Sequence, residues 1–261
     1  STQANNTNYK TANFWYNMGA KRIVGARELS LKEIKEMRSK IPDDMEIETF
    51  VHGAMCISYS GRCLLSNYLS GRDANKGACS HPCRWKYYLM EETRPGEYMP
   101  VEENERGTYI FNSKDLCMLN HIPELIDAGI SSLKIEGRMK TPYYVGTVVK
   151  AYRQAIDDYF KDPEYYKSRI DYYMSEITKA SHRDFTTGFY FGKPGHDDQV
   201  YTNNSYIRDY DFIGIVTEDR DDESGCAVIM QRNKFEVGDK IEILPVSGDS
   251  MEMTVTQMWN E

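Results

Sequence analysis

Cysteine is the residue type best placed to do chemistry in this chain. Cys56, Cys63, Cys79 and Cys83 are spaced C-x6-C-x15-C-x3-C, Cys117 follows in NSKDLCML, and Cys226 stands apart. Several thiolates brought together suit a soft metal or an iron–sulfur cluster, because sulfur donates covalently to zinc or iron and four donors complete a tetrahedral or cubane site. Spacing alone does not choose between zinc and iron. The competing reading is a set of unligated buried thiols. The Gly, Ser, Arg, Asp and Asn residues around these cysteines would make a poor apolar core, which favours ligation. Cys226 lies in a β-type run and reads as core.

His52 precedes Cys56 by four residues at the end of an expected strand, where an imidazole could act as general acid or base. Glu48, Phe50 and His52 alternate on that strand, so all three side chains are expected to face one interior, with Glu48 and His52 sharing a catalytic site. The plainer alternative for His52 is a hydrogen-bonded structural role. Arg27, Arg62, Arg84, Lys134, Arg138 and Lys140 could hold a dicarboxylate or phosphates, since guanidinium forks pair with carboxylates bidentately. Arg27, Arg62 and Arg138 are preferred because each follows an expected strand or adjoins a cysteine. Solvated surface charge is the alternative for each.

Strands and helices must bring these groups together. Residues 21–26 read as a buried strand, and Ser30 with Glu33 forms a capping box ahead of Leu31, Ile34 and Met37 at helical spacing. Residues 45–52 alternate as a strand running toward the cysteines. A second unit follows: a strand at 108–111, a helix at 122–128 closed by Gly129, and a strand at 132–136. A long helix at 143–160 places Val145, Val148, Val149, Tyr152, Ile156 and Tyr159 on one stripe, and Asp162-Pro163 separates it from a helix at 164–180. This cadence predicts an α/β fold, part of a TIM-like β/α barrel. The runs at 212–217, 226–231, 240–244 and 251–258 predict a small all-β domain. The expected division is a barrel part over 1–182, a linker over 183–210 and a β domain over 211–261.

The chain has 261 residues, 40% of them hydrophobic, and a net charge of −8 from 40 acidic and 32 basic residues. That balance disfavours nonspecific grip on a polyanion, so any RNA contact must be local. No run approaches the ~18 apolar residues of a membrane span, and the polar start is unlike a secretory signal, so a cytoplasmic protein without a membrane partner is expected. The start at Ser1, without an initiator Met, suggests a fragment or a processed product. No HExxH helix, GxSxG elbow or Cys-His-Asn set is present to support hydrolysis. The tyrosines between 143 and 173 fit helix packing better than base stacking.

The run ETFVHGAMC at 48–56 followed by GRCLLS at 61–66 resembles the signature of the collagenase-like peptidase family U-32. STQANNTN at 1–8, ARELS at 26–30, GRDANKG at 71–77, HPCRW at 81–85 and LKIEGRMK at 133–140 extend the likeness over most of the chain. The resemblance implies a TIM-like barrel followed by a small β-barrel similar to those of translation factors. In the family STQAN sits well inside the barrel, so opening strands and the last C-terminal strands are expected to lie outside this chain. Branches of the family hydroxylate tRNA uridine, ribosomal-RNA cytidine or ubiquinone precursors. The resemblance thus implies RNA modification on tRNA or rRNA, a [4Fe-4S] cluster and, in several branches, prephenate as hydroxyl donor. The ligand spacing of the ubiquinone branch is similar to Cys56, Cys63, Cys79 and Cys117, which makes Cys117 the expected fourth ligand. Proximity in sequence alone would choose Cys83. The alternatives are a peptidase, as the family name says, and a zinc-stabilised scaffold without catalysis.

Overall fold

A computed structural model describes residues 1–56, 58–85, 114–194, 207–218 and 226–259, with residues 88, 89, 92, 93, 95, 96, 99 and 100 between. The strand expected at 108–111 lies outside the described residues. In chain order the elements are α1 (Tyr9–Asn17), β1 (Arg22–Val24), α2 (Leu31–Arg38), β2 (Glu46–Ala54), α3 (Leu65–Ser70), β3 (Tyr88–Leu89), β4 (Met99–Pro100), β5 (Asp115–Cys117), α4 (Ile122–Asp127) and β6 (Ser132–Ile135). Then come α5 (Pro142–Lys161), α6 (Pro163–Ser168), α7 (Ile170–Thr178), β7 (Phe185–Thr186), β8 (Gly214–Glu218), β9 (Val228–Gln231), β10 (Lys240–Ile243) and β11 (Met251–Thr254).

Local chemistry sets the helix ends. Ser30 and Glu33 form the full reciprocal capping box of α2 and send Leu31, Ile34 and Met37 into the core. Thr141 caps α5 ahead of Pro142, and Asp162 both ends α5 and caps α6, where Pro163 takes the first turn. The helix expected over 164–180 is two helices. Arg169 leaves helical geometry (φ −106°) and turns its guanidinium to Asp249, 2.6 Å away, and over the Tyr172 ring.

β2 is the central strand. One edge pairs in parallel with β6, and the other pairs in parallel with β1 near its start and antiparallel with β5 near its end, with β7 beyond β5. A parallel sheet with helices, followed by small antiparallel sheets, is the mixed α/β architecture the sequence predicts. Among the described residues the sheet does not close on itself. Residues 183–190, expected in a linker, supply β7 and buried Tyr190 to this first sheet. The C-terminal runs form two separate hairpins, β8–β9 and β10–β11.

The stripe expected on α5 is rotated. Val145 and Val149 are exposed, whereas Tyr144, Val148, Ala151, Tyr152 and Ala155 are buried. Tyr144 and Tyr152 carry more apolar area than the valines, so the helix turns them inward.

Those tyrosines also satisfy the strand. A bulge in β2 pairs Phe50 with Lys134 but His52 with Ile135, leaving two steps of β2 against one of β6. The Tyr190 hydroxyl donates to the Phe50 carbonyl (2.6 Å) and the Tyr152 hydroxyl to the Val51 carbonyl (2.8 Å). Side-chain donors thereby occupy the carbonyls beside the irregularity.

Candidate metal and substrate site

A cavity of about 110 Å³ opens at the C-terminal ends of three parallel strands, β1, β2 and β6. Arg27 reaches it beyond β1, Ala54, Met55 and Cys56 from the end of β2, and Glu136 and Arg138 beyond β6. Strand ends of this kind are where α/β folds expose side chains held by a rigid sheet. The rest of the wall comes from the loops at 59–63 and 74–83 and from Thr2 and Gln3.

Two glycines let these parts approach. Gly53 has φ +104°, and a β-carbon there would strike the Glu136 carbonyl, so the end of β2 lies against the end of β6. Gly61 (φ +75°) does the same against the Gln3 carbonyl, which seats the Cys63 loop on the N-terminal turn. The Ser60 hydroxyl accepts from the Arg27 backbone N–H at 3.4 Å, and the Ser60 N–H donates to Glu28 at 2.7 Å. Ser66, Ser70 and Ser80 bond side chain to side chain at 3.0 and 2.7 Å, holding α3 against the segment that carries Cys79 and Cys83.

Four cysteines line the cavity: Cys56, Cys63, Cys79 and Cys83. Desolvation pushes the Cys56 thiol up, and neighbouring Cys63 and Cys79 add to that while Arg27 opposes it. The Cys79 sulfur accepts the His81 backbone N–H at 3.3 Å. Cys117 is not in this wall. It is buried on β5, and desolvation raises its thiol to about 11 beside the Tyr152 hydroxyl. Cys83 therefore shares a cavity wall with the other three, whereas Cys117 sits on β5 opposite His52. Among the described residues no three His, Cys, Asp or Glu side chains are arranged to hold a metal ion.

Glu48 and His52 do not share a site, because the β2 bulge sends them to opposite faces. Glu48 stays with Lys134 (3.1 Å), Ser132 (2.8 Å) and Arg22 (3.5 Å). Burial raises its carboxyl, but these partners outweigh it and hold the group below its ordinary value. His52 packs among Tyr144, Tyr152 and Phe185, with both ring nitrogens buried and without a hydrogen-bond partner. Burial there lowers its pKa to about 3, so the imidazole is neutral at neutral pH.

Of the three preferred arginines, Arg27 and Arg138 line the cavity and Arg62 stands exposed outside its wall. The Arg27 guanidinium lies 4.0 Å from the Phe50 ring centre, donates to the Ala54 carbonyl at 3.4 Å and comes within 3.6 Å of Glu136. Its Nε is buried without a partner. Sequence reasoning passed over Glu136 and Tyr59, which also line the cavity. The expected strand ending at 136 was the available signal for Glu136, and Tyr59 had none.

Comparison with known proteins places the chain in a family. Residues 1–200 match peptidase family U32 and residues 208–261 match the peptidase family U32 C-terminal domain. The chain belongs to peptidase family U32. This U32 chain is 41% identical to tRNA hydroxylation protein P1 of Bacillus subtilis, over 100% of the chain and 61% of that protein. It is 39% identical to tRNA hydroxylation protein P of Escherichia coli, over 100% of the chain and 64% of that protein. It is also 33% identical to a Collagenase of Porphyromonas gingivalis, over 74% of the chain and 47% of that protein. The U32 chain thus spans about three fifths of the first two relatives. No solved structure matches it. Among the described residues no helix is long and apolar enough to cross a membrane.

Proposed function

We propose that this U32 chain is the cluster-bearing part of an RNA hydroxylase that acts on tRNA, with Cys56, Cys63, Cys79 and Cys83 as ligands of a [4Fe-4S] cluster. The observation that carries it is one cavity lined by four thiols and Arg27 at the ends of three parallel strands. The donor set fits the group in chemical type, since thiolates are the usual cluster ligands, and holding a cluster would require the four thiols on the cavity wall to converge. Zinc would take the same donors, and metal analysis separates the two. A cluster bound there supplies electron-transfer chemistry beside the substrate. The names of the B. subtilis and E. coli relatives support hydroxylation of tRNA over rRNA or protein.

Arg27 and Arg138 are suited to orient a small dicarboxylate such as prephenate. Arg27 is fixed by Phe50 and the Ala54 carbonyl, and its unpartnered Nε offers a donor. Glu136 neutralises part of its charge, so an entering carboxylate must compete with Glu136 for the fork. His52 is a buried packing residue in this scheme and moves no proton at neutral pH.

Mass spectrometry of tRNA and rRNA nucleosides from a deletion strain, with and without the restored full-length protein, tests the proposal. A hydroxylated uridine lost on deletion and regained on complementation is expected. Unchanged nucleosides together with cleavage of denatured collagen by the purified protein would replace it with a peptidase.

A further inference from the structure

The loops that carry the cysteines have a charge and an exposure at odds with the rest of the chain. Residues 56–85 contain Arg62, Arg72, Lys76 and Arg84 against one acid, Asp73, although the whole chain carries −8. Large aromatic side chains in the same segment face solvent: Tyr59 is 71% exposed, Tyr68 86% and Trp85 47%. Tyr59 sits on the cavity wall itself. Tyr68 projects from α3, which the Ser66–Ser80 and Ser70–Ser80 bonds fasten beside the turn at Pro82–Arg84, and Trp85 follows that turn directly. In the core Tyr144, Tyr152, Tyr166 and Tyr173 are buried, and elsewhere Phe14, Phe160, Phe191 and Trp259 are exposed as well, so it is the company of cationic side chains near the cavity that sets Tyr59, Tyr68 and Trp85 apart.

The exposed rings of Tyr59 on the cavity wall, Tyr68 on α3 and Trp85 after the turn bury little of their apolar surface. Exposed rings interleaved with cationic side chains are the means by which proteins hold unpaired nucleotides, through base stacking and phosphate pairing. We infer that the rim formed by Tyr59, Tyr68, Trp85, Arg62, Arg72 and Lys76 is a docking surface for a single-stranded RNA loop, which presents its target base to the cavity past Tyr59. Charge complementarity favours RNA, because the segment that carries the cysteines is locally basic, with Arg62, Arg72, Lys76 and Arg84 against Asp73, in an acidic protein. A nucleotide must be unstacked to enter a cavity, and the rings of Tyr68 and Trp85 replace the lost stacking of its neighbours. The inference rests on the RNA reading of the same site.

The test uses full-length protein with measured metal content, a fluorescent unmodified tRNA transcript, and a single-stranded oligonucleotide with its duplex as probes. Tyr68→Ala and Trp85→Ala are each expected to weaken binding of tRNA and single strand by roughly tenfold, while Tyr68→Phe and Trp85→Phe retain it. Arg72→Gln and Lys76→Gln should each lower the salt slope of binding by about 0.7. Both of these residues are exposed, so they carry the test if an aromatic variant disturbs the loop. Wild-type affinities and slopes in all variants, with tRNA hydroxylation intact in cells, would overturn the rim and leave the proposed function standing. Retention of the rim on anionic phospholipid vesicles without any change in RNA binding would overturn it in favour of a membrane surface. Absence of both tRNA binding and hydroxylation in the wild type would remove the rim and the function together.

Discussion

Cys117 and His52 are direct partners across the antiparallel pairing of β5 with β2. Both are buried there, and the Tyr152 hydroxyl lies beside the Cys117 thiol while its ring meets the His52 imidazole edge-on at 5.6 Å. This pair belongs to the packing between the sheet and α5. The cavity with the remaining ligand candidates lies beyond the end of β2.

The proposed ligand assignment rests on that separation. Replacing Cys56, Cys63, Cys79 or Cys83 by Ala is expected to abolish the brown absorption near ~400 nm and the ~4 iron atoms per chain expected of [4Fe-4S] in protein purified without oxygen. Cys117→Ala should keep both and lower stability by about 1 kcal/mol, as for loss of a small buried group. Bleaching by Cys117→Ala and not by Cys83→Ala would reverse the assignment.

Arg27 holds a planar group over Phe50 while donating to Ala54 and facing Glu136. Arg27→Lys keeps the charge and loses the fork, so hydroxylated nucleoside should fall about tenfold in complemented cells at unchanged iron content. Arg138→Lys should act in the same direction. Full modification with both variants would return these arginines to the surface-charge class.

Gly53 should resist substitution more than any exposed glycine. A β-carbon at φ +104° would strike the Glu136 carbonyl and push the ends of β2 and β6 apart. Gly53→Ala is expected to cost more than about 2 kcal/mol in denaturant unfolding and to lower iron occupancy. Gly71→Ala also places alanine at a positive φ (+66°), but within the left-handed region and without any such contact, and should cost less.

His52 makes stability depend on pH. Its folded pKa of about 3 lies below the model-peptide value of 6.5, so below pH 6.5 the unfolded chain binds the proton first. The stability it contributes is present above 6.5 and is lost as pH falls toward 3, at up to about 1.4 kcal/mol per pH unit. His52→Phe fits the aromatic surroundings and should flatten this slope between pH 6.5 and 4. An unchanged slope would mean that His52 is not buried neutral.

The β10–β11 hairpin is tied to the helices through a buried carboxylate. Glu176 pairs with Lys179 and accepts from Ser250 at 2.6 Å, Ser250 accepts from Lys150 at 3.2 Å, and Lys179 also meets Glu242. Glu176→Ala leaves the largely buried ammonium groups of Lys150 and Lys179 short of charge and should cost about 3 kcal/mol. Faster proteolysis within 240–254 is the expected readout, and unaltered cleavage would show that the network does not hold the hairpin.

Much of the first domain was legible because its signals are local. Ser30 and Glu33 announce α2 through backbone donors three residues apart, and the alternation of apolar residues marks β1, β2 and β6. The crowding of Cys56, Cys63 and Cys79 on the segment after β2 was equally local, and so was the family signature. The rest required through-space relations. A single bulge after Phe50 inverts the strand's alternation, and nothing in the residues 48–52 records it, because it depends on how β6 meets β2. That one step moves His52 from the interior shared with Glu48 to the α5 side. The choice between Cys83 and Cys117 is of the same kind. Sequence distance set Cys83 near and family spacing set Cys117 near, but the serine-tied α3 and the pairing of β5 with β2 put Cys83 in the cavity wall and Cys117 within the sheet opposite His52.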